Sequence, residues 1–157
     1  MAEPEKEFND WDTDGINRLP KFKVSTKAGN VSYENTKTVL IAEDEPVNYL
    51  YLEAALLSFQ NELKTKFYIL HAENGEDAIE IAKNSKALDL ILMDIRMPKM
   101  NGNDSAEIIK KYNSKTPIIA QTAFKNEIFN EELFIRTLRK PIDLNELRTI
   151  VKQFLGH

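Results

Sequence analysis

The chain has 157 residues, of which 42% are hydrophobic and 29% are charged, and its formal net charge is -4 at pH 7. This length fits one domain with some additional chain, and the mild negative charge argues against direct nucleic-acid binding, which usually requires a basic face. The lack of cysteine excludes disulfides, thiolate catalysis and cysteine-built zinc sites. No apolar run approaches the roughly 18 residues of a membrane span, so we expect no membrane contact by this segment.

The N-terminal part of the chain has few periodic apolar positions and contains scattered prolines, glycines and charges. This composition predicts a tail or linker of low order over residues 1–36. The alternative is an arm that lays Trp11 and Phe22 on the domain or on a partner. Residues 37–157 are predicted to form one domain.

Short apolar runs alternate with helical patterns after residue 37. The predicted strands lie within residues 38–42, 67–72, 88–93, 116–121 and 133–139. The predicted helices cover residues 46–60, 77–84, 103–111, 123–132 and 144–155, and the pattern of the fourth is weak. This alternation predicts parallel strands joined by right-handed crossovers, with helices on both faces of the sheet.

The most apolar of these runs, residues 90–93, ends directly on Asp94. An uninterrupted apolar run is typical of a strand that is buried on both faces. Open α/β sheets place their chemistry at the exits of such strands. Asp94 is therefore a candidate for the centre of a site.

Polar side chains also follow three other predicted strands. Glu43 and Asp44 follow the first strand, Thr122 follows the fourth, and Lys140 follows the fifth. The exits of parallel strands meet at one edge of a sheet, so these side chains should converge with Asp94. Clustered carboxylates favour a hard divalent cation such as Mg²⁺. A hydroxyl and an ammonium group beside them suit phosphoryl transfer to a carboxylate.

Each residue of this set also has an ordinary explanation by itself. Glu43 and Asp44 could cap a helix, Asp94 could be a turn residue, and Thr122 and Lys140 could be simple strand-end and loop residues. We favour the functional interpretation because the residues follow different strands in the right order.

Residues 37–155 resemble the receiver domain of bacterial two-component response regulators and hybrid histidine kinases. The motifs that carry the resemblance are residues 39–45, residues 94–98 with Gly102, Thr122-Ala123 and Lys140-Pro141. The sequence around residues 47–50 and 93–98 is most similar to that of receivers of hybrid sensor kinases. The resemblance implies a flavodoxin-like (βα)5 fold, in which a doubly wound, five-stranded parallel sheet has the strand order 2-1-3-4-5.

The resemblance also implies a role for each site residue. Asp94 would accept a phosphoryl group from a phosphohistidine, Thr122 would donate a hydrogen bond to that group, and Lys140 would pair with it across a cis peptide bond to Pro141.

The same resemblance implies a Mg²⁺ site. Asp94 and Asp44 would bind the ion directly, Glu43 would bind it through water, and the backbone carbonyl of Arg96 would complete the protein ligands. Such a module catalyses its own phosphorylation and dephosphorylation and is not a turnover enzyme.

The partners that the resemblance implies are a histidine kinase or a histidine phosphotransfer domain. A homodimer through the face of the fourth helix, fifth strand and fifth helix is a further expectation. The implied location is the cytoplasm, or the cytoplasmic part of a membrane-bound hybrid kinase, and no direct contact with nucleic acid is expected.

The chain departs from the family pattern after Thr122. Thr137 stands where the family usually has an aromatic switch residue, and the interval to Lys140 is shorter than usual by about one helical turn. The fourth helix is therefore predicted to be shortened or irregular.

Three alternatives stay open. The first is an interaction module of the same fold that does not need phosphorylation. The second is a phosphohydrolase, although Arg96 stands where such enzymes commonly carry a second acid. The third is a flavodoxin-like cofactor binder, although no phosphate-cradling loop rich in glycine or threonine follows the first strand.

Overall fold

The computed structural model of the chain describes residues 35–85, 87–127 and 129–156. Residues 1–34 of the tail predicted over residues 1–36, and the alternative arm with Trp11 and Phe22, lie outside the described residues, whereas residues 35 and 36 begin the first strand. Among the described helices, none combines the length and the apolar character that crossing a membrane requires.

The described residues form a five-stranded parallel sheet with the strand order β2-β1-β3-β4-β5. The strands are β1 (Asn35–Ala42), β2 (Thr65–Ala72), β3 (Leu90–Asp94), β4 (Ile118–Thr122) and β5 (Arg136–Arg139). The predicted doubly wound architecture and strand order are confirmed. All five residues of β3 and all five of β4 are buried, as their central place in the sheet requires. The polar ones, Asp94, Gln121 and Thr122, lie at the carboxyl ends of these two strands.

Four helices cover the two faces of this sheet. They are α1 (Pro46–Leu63), α2 (Gly75–Asn84), α3 (Gly102–Tyr112) and α4 (Leu144–Leu155). Successive strand residues point to opposite faces, so Val39 packs into the core under α1 and α4 while Leu40 packs into the core under α2 and α3. The sheet is therefore held between two helical layers, and only its edges are left for a site.

The connection between α1 and β2 differs from the sequence-based prediction. The predicted helix over residues 46–60 and the predicted strand over residues 67–72 leave residues 61–66 as a connection, but α1 continues to Leu63 and β2 begins at Thr65. Lys64 adopts the left-handed conformation, with φ of 49°, and its backbone N–H donates to the carbonyl of Gln60. A single residue in this conformation ends a helix sharply, which polar composition alone did not reveal.

The connection between β4 and β5 is the larger difference. The predicted fourth helix over residues 123–132 is wrong, because the described part of this interval has no α-helix and only a 3₁₀ turn at Glu131–Leu133. The expected irregularity of this element is confirmed. Because this connection has no α-helix among its described residues, the predicted fifth helix is α4 of the structure.

Candidate functional site

The candidate site lies at the edge of the sheet where the parallel strands end. Asp94 and Thr122 are the last residues of β3 and β4, and Lys140 directly follows β5. Glu43 and Asp44 directly follow β1. Fold and register thus bring residues from four strands to one edge, as the sequence predicted.

Lys140 joins two of the acids at this edge. Its Nζ atom lies 2.7 Å from Oε2 of Glu43 and 2.6 Å from Oδ2 of Asp94. Its backbone N–H donates to the carbonyl of Thr122 at 2.8 Å. The peptide bond between Lys140 and Pro141 is cis, as predicted.

Three carboxylates lie close together beside this ammonium group. One oxygen each from Glu43, Asp44 and Asp94 can be chosen so that all three lie within 4.8 Å of one another. With all groups ionised, the single charge of Lys140 leaves two negative charges unbalanced. An all-oxygen donor set with this charge fits Mg²⁺, which binds carboxylates and keeps several waters.

The electrostatics of Asp94 follow from its environment. Burial raises the pKa of Asp94 to about 6, the charge of Glu43 acts in the same direction, and Lys140 acts against both. Burial alone would lower the pKa of Lys140, but its hydrogen bonds to Asp94 and Glu43 outweigh this and raise that pKa. Lys140 therefore stays charged, whereas Asp94 titrates near neutrality until a cation favours its carboxylate form.

The backbone near Asp94 is held by two close contacts. The N–H of Arg96 donates to Oδ1 of Asp94 at 3.0 Å, and the N–H of Gly102 donates to the carbonyl of Ile95 at 2.8 Å. A Cβ atom on Gly102 would lie 2.1 Å from the carbonyl oxygen of Asp94. Glycine is thus required at this position because α3 begins directly against the end of β3.

The exit of β1 is fixed by β2. Nε2 of His71 lies 2.8 Å from the carbonyl oxygen of Glu43, and the ring of His71 stacks on Tyr49 with a centroid distance of 3.7 Å. The N–H of Glu45 donates to Oε1 of Glu43 at 3.1 Å. No sequence pattern indicates this supporting role of His71, and only its place at the end of the neighbouring strand could have suggested it.

Thr122 makes a contact that the sequence did not predict. Its side chain is buried, and its hydroxyl donates to a carboxylate oxygen of Glu127. Nε of Arg96 lies 2.6 Å from the other oxygen of that carboxylate. Glu127 comes from the segment that was predicted to be a helix, so no pattern marked it as part of the site.

The metal-binding role of the Arg96 carbonyl stays a prediction.

A cleft adjoins the site on the side of α1. Its volume is about 310 Å³, and its lining is mostly apolar. The residues around it are Val47, Asn48, Tyr51, Leu52, Lys140, Pro141 and Ile142. Lys140 thus connects the acidic cluster with an open surface of the domain.

Sequence comparisons agree with this architecture. The sequence profile of the response regulator receiver domain matches residues 39–152. The autoinducer 1 sensor kinase/phosphatase LuxN of Vibrio harveyi is 37% identical over 154 residues, which are 95% of this chain and 17% of LuxN. The sensor histidine kinase GacS of Pseudomonas protegens is 30% identical over 129 residues, covering 75% of this chain and 13% of GacS. The chain therefore spans less than a fifth of these relatives.

Solved structures point to the same family. The receiver domain of a sensor histidine kinase from Pseudomonas aeruginosa, with a magnesium ion in its active-site cleft, has a TM-score of 0.64 and 28% identity, covering 78% of this chain and 99% of that one. The response regulator TrrA of Thermotoga maritima, solved with Mg²⁺ and beryllofluoride, gives a TM-score of 0.64 and 28% identity over 76% of this chain and 99% of that one. The chain belongs to the response regulator receiver domain family of two-component signalling.

Proposed function

We propose that this receiver domain is a phosphoacceptor in a two-component phosphorelay, with Asp94 as the acceptor. The observation that carries the proposal is the pairing of Lys140 with Asp94 and Glu43 beside the carboxylate of Asp44. A cation on one side and an unbalanced acidic cluster on the other suit a nucleophilic carboxylate that must receive a dianionic group.

The proposed reaction is transfer from a phosphohistidine. An oxygen of the Asp94 carboxylate attacks phosphorus, the bond between phosphorus and the histidine nitrogen breaks, and the nitrogen keeps the electron pair. The product is an acyl phosphate on Asp94 and a free imidazole. Lys140 keeps its charge and attracts the transferred group, and the hydroxyl of Thr122 can donate to one of its oxygens.

Glu43, Asp44 and Asp94, with the carbonyl of Arg96, would hold Mg²⁺. The bound ion would supply charge stabilisation for the transferring phosphoryl group. We further propose that the same site hydrolyses the acyl phosphate, so that the module catalyses its own phosphorylation and dephosphorylation and is not a turnover enzyme.

The partner we propose is a histidine kinase or a histidine phosphotransfer domain. Its phosphohistidine must reach Asp94, so it must cover this edge of the sheet. The N-terminal half of α1 starts at this edge and exposes an apolar surface, with Val47 77% and Leu50 58% exposed. We place the phosphodonor on this surface, because an exposed apolar patch beside a reacting group is typical of a docking site.

The remaining expectations are part of the same proposal. The domain would act in the bacterial cytoplasm, as a module of a larger hybrid kinase or beside one. A homodimer would use β5 and α4, a face on which the connection before β5 has a 3₁₀ turn in place of a helix.

The test is labelling by acetyl phosphate with Mg²⁺, followed by intact mass. We expect the mass of one phosphoryl group to be added to the wild type and not to Asp94→Asn. Asp89→Asn also removes one acid, but Asp89 pairs with Lys37 and directly precedes β3, at the opposite end of that strand from Asp94. This variant should be labelled like the wild type. Equal labelling of Asp94→Asn, or no labelling of the wild type, would refute the proposal.

A second function is favoured by two features of this chain. Thr122 donates its hydroxyl proton to Glu127, and Thr137 lies where an aromatic switch is usual. An interaction module of this fold that ignores phosphorylation would bind its partner equally with and without beryllofluoride. A change in partner affinity on adding beryllofluoride would exclude this alternative.

A further inference from the structure

Glu127 occupies an unusual place for a loop carboxylate. Its side chain is only 7% exposed, although the residue lies in the connection between β4 and β5. One of its oxygens accepts the hydroxyl hydrogen bond of Thr122, and the other lies 2.6 Å from Nε of Arg96. We call these two contacts the Glu127 bridge. They join the end of β4 to the residue that stands two positions after Asp94.

The segment around the bridge is tied to the same groups. The guanidinium of Arg96 lies 3.7 Å from the ring centroid of Phe124. The backbone N–H of Phe124 donates to the hydroxyl oxygen of Thr122 at 3.1 Å. Nη1 of Arg139 donates to the carbonyl of Phe124 at 3.3 Å. The bridge therefore holds residues 123–127 against the edge of the sheet at which Asp94 lies.

The bridge and a phosphoryl group need the same hydrogen. A threonine hydroxyl has a single proton to donate. Among the described residues, two acceptors lie within reach of Thr122, the carbonyl of Phe124 at 3.3 Å and the nearer carboxylate of Glu127, so the charged carboxylate is the favoured acceptor. To accept the hydrogen bond of Thr122, a phosphoryl oxygen on Asp94 would have to displace the carboxylate of Glu127. A phosphoryl group also carries about -1.5 to -2 charges, so it would repel the carboxylate of Glu127.

We propose that Glu127 is a built-in competitor of the phosphoryl group for the hydroxyl of Thr122. Phosphorylation of Asp94 breaks the Glu127 bridge and releases residues 123–127 and the side chain of Arg96. The proposal rests on the proposed phosphoacceptor function. It gives the chain a means of reporting its phosphorylation that does not need an aromatic side chain at Thr137.

Linkage makes the proposal quantitative. If binding at the site must break the bridge, then weakening the bridge must tighten binding by the same factor. Glu127→Gln keeps the shape of the side chain and removes its charge, which weakens its contacts with both Thr122 and Arg96. Removing one charge-assisted contact typically changes an equilibrium by about tenfold or more.

The first test is calorimetric titration of beryllofluoride with Mg²⁺. We expect Glu127→Gln to bind about tenfold more tightly than the wild type, and Glu127→Ala to do the same. The matched control is Glu132→Gln, which removes the same charge from an exposed position in the same connection and should bind like the wild type.

The second test follows the side chain of Arg96 directly, in the wild type and in Glu127→Gln. The NMR signal of the Nε–H group of Arg96 should have the shift of a carboxylate-bonded group in the free wild type and move to that of an unpaired guanidinium when beryllofluoride binds. In Glu127→Gln it should have the unpaired value from the start.

The possible outcomes distinguish the phosphoacceptor function from the competition by Glu127. If the wild type does not bind beryllofluoride, the phosphoacceptor function is wrong. If the wild type binds it, but Glu127→Gln binds with equal affinity and the Arg96 signal does not move, the competition by Glu127 is refuted and the phosphoacceptor function stands.

Discussion

Nζ of Lys140 lies 2.6 Å from Oδ2 of Asp94, although the two residues are 46 positions apart in the chain. The contact is possible because β3 and β5 both end at the same edge of the sheet, one strand apart. Both side chains are largely shielded from water, at 16% and 8% exposed. An ion pair in such surroundings responds strongly to a proton or a metal ion that binds to the cluster.

The stability of the metal-free protein should depend on pH through Asp94. Burial raises the pKa of Asp94 to about 6 in the folded chain, from 3.8. The stabilisation that comes with this proton is complete below about pH 4 and is lost as the pH rises through about 6. In the presence of a chelator, we expect Asp94→Asn to gain about 2 to 3 kcal/mol relative to the wild type between about pH 4 and pH 8.

The measurement is urea unfolding of both proteins across this pH range. Added Mg²⁺ should reduce the pH-dependent difference, since a bound cation compensates the ionised cluster. A difference between the two proteins that stays constant with pH would contradict the assigned environment of Asp94.

Mg²⁺ should stabilise the fold through Asp44. Binding at a hundred times the dissociation constant adds about 2.7 kcal/mol to the free energy of unfolding. Asp44→Asn should lose most of this gain, while Glu45→Gln, the neighbouring exposed acid, should keep it. Thermal unfolding with and without Mg²⁺ measures the effect. Equal stabilisation of the two variants would remove Asp44 from the proposed metal site.

Gly102→Ala should destabilise the fold at the site. Its Cβ would lie 2.1 Å from the carbonyl oxygen of Asp94, so α3 or the end of β3 must shift. We expect a loss of about 1 to 3 kcal/mol in the free energy of unfolding and slower labelling by acetyl phosphate. Glu107→Ala, on the exposed side of α3, is the control and should change stability by less than about 0.5 kcal/mol. Wild-type stability of Gly102→Ala would contradict the close packing.

A charge on the exposed surface of α1 should separate the two kinds of phosphodonor. Leu50→Asp places a charge on the proposed docking surface and leaves the acidic cluster intact. We expect phosphotransfer from a histidine phosphotransfer protein to slow by about tenfold or more, while labelling by acetyl phosphate stays unchanged. Tyr112→Asp, an exposed position on α3, is the control for an added surface charge.

Rapid-quench phosphotransfer kinetics measure this difference. If Leu50→Asp and Tyr112→Asp transfer at the same rate, the phosphodonor does not dock on α1.

Much of the site could be predicted from the sequence because its signals are local. An uninterrupted apolar run that ends on Asp94 marks a buried strand and its exit, and the apolar run over residues 39–42 does the same before Glu43. Parallel pairing then brings these exits together without any knowledge of distances. The bounds of α1 and β2 were less accurate, because a one-residue connection at Lys64 depends on backbone conformation and not on polarity.

Two features of the site depended on contacts between distant parts of the chain. His71 supports Glu43 from the neighbouring strand, and Glu127 bonds to Thr122 and Arg96 from a segment whose weak periodicity suggested a helix. Hydrophobic periodicity predicts which side of a helix or strand faces the core. It does not predict the path of a loop that has no periodic apolar residues, such as the one that carries Glu127.

The sequence by itself determined the alternation of strands and helices and the convergence of the acids with Lys140, because hydrophobic period and strand exits are properties of short segments. The family and the order of the strands followed from the resemblance of its motifs to receiver domains. Only the tertiary structure decided that the connection after Thr122 has no α-helix among its described residues and that Glu127 takes the Thr122 hydroxyl. Those outcomes depend on how far apart β4 and β5 end and on which buried polar groups find partners, and both are distances in space.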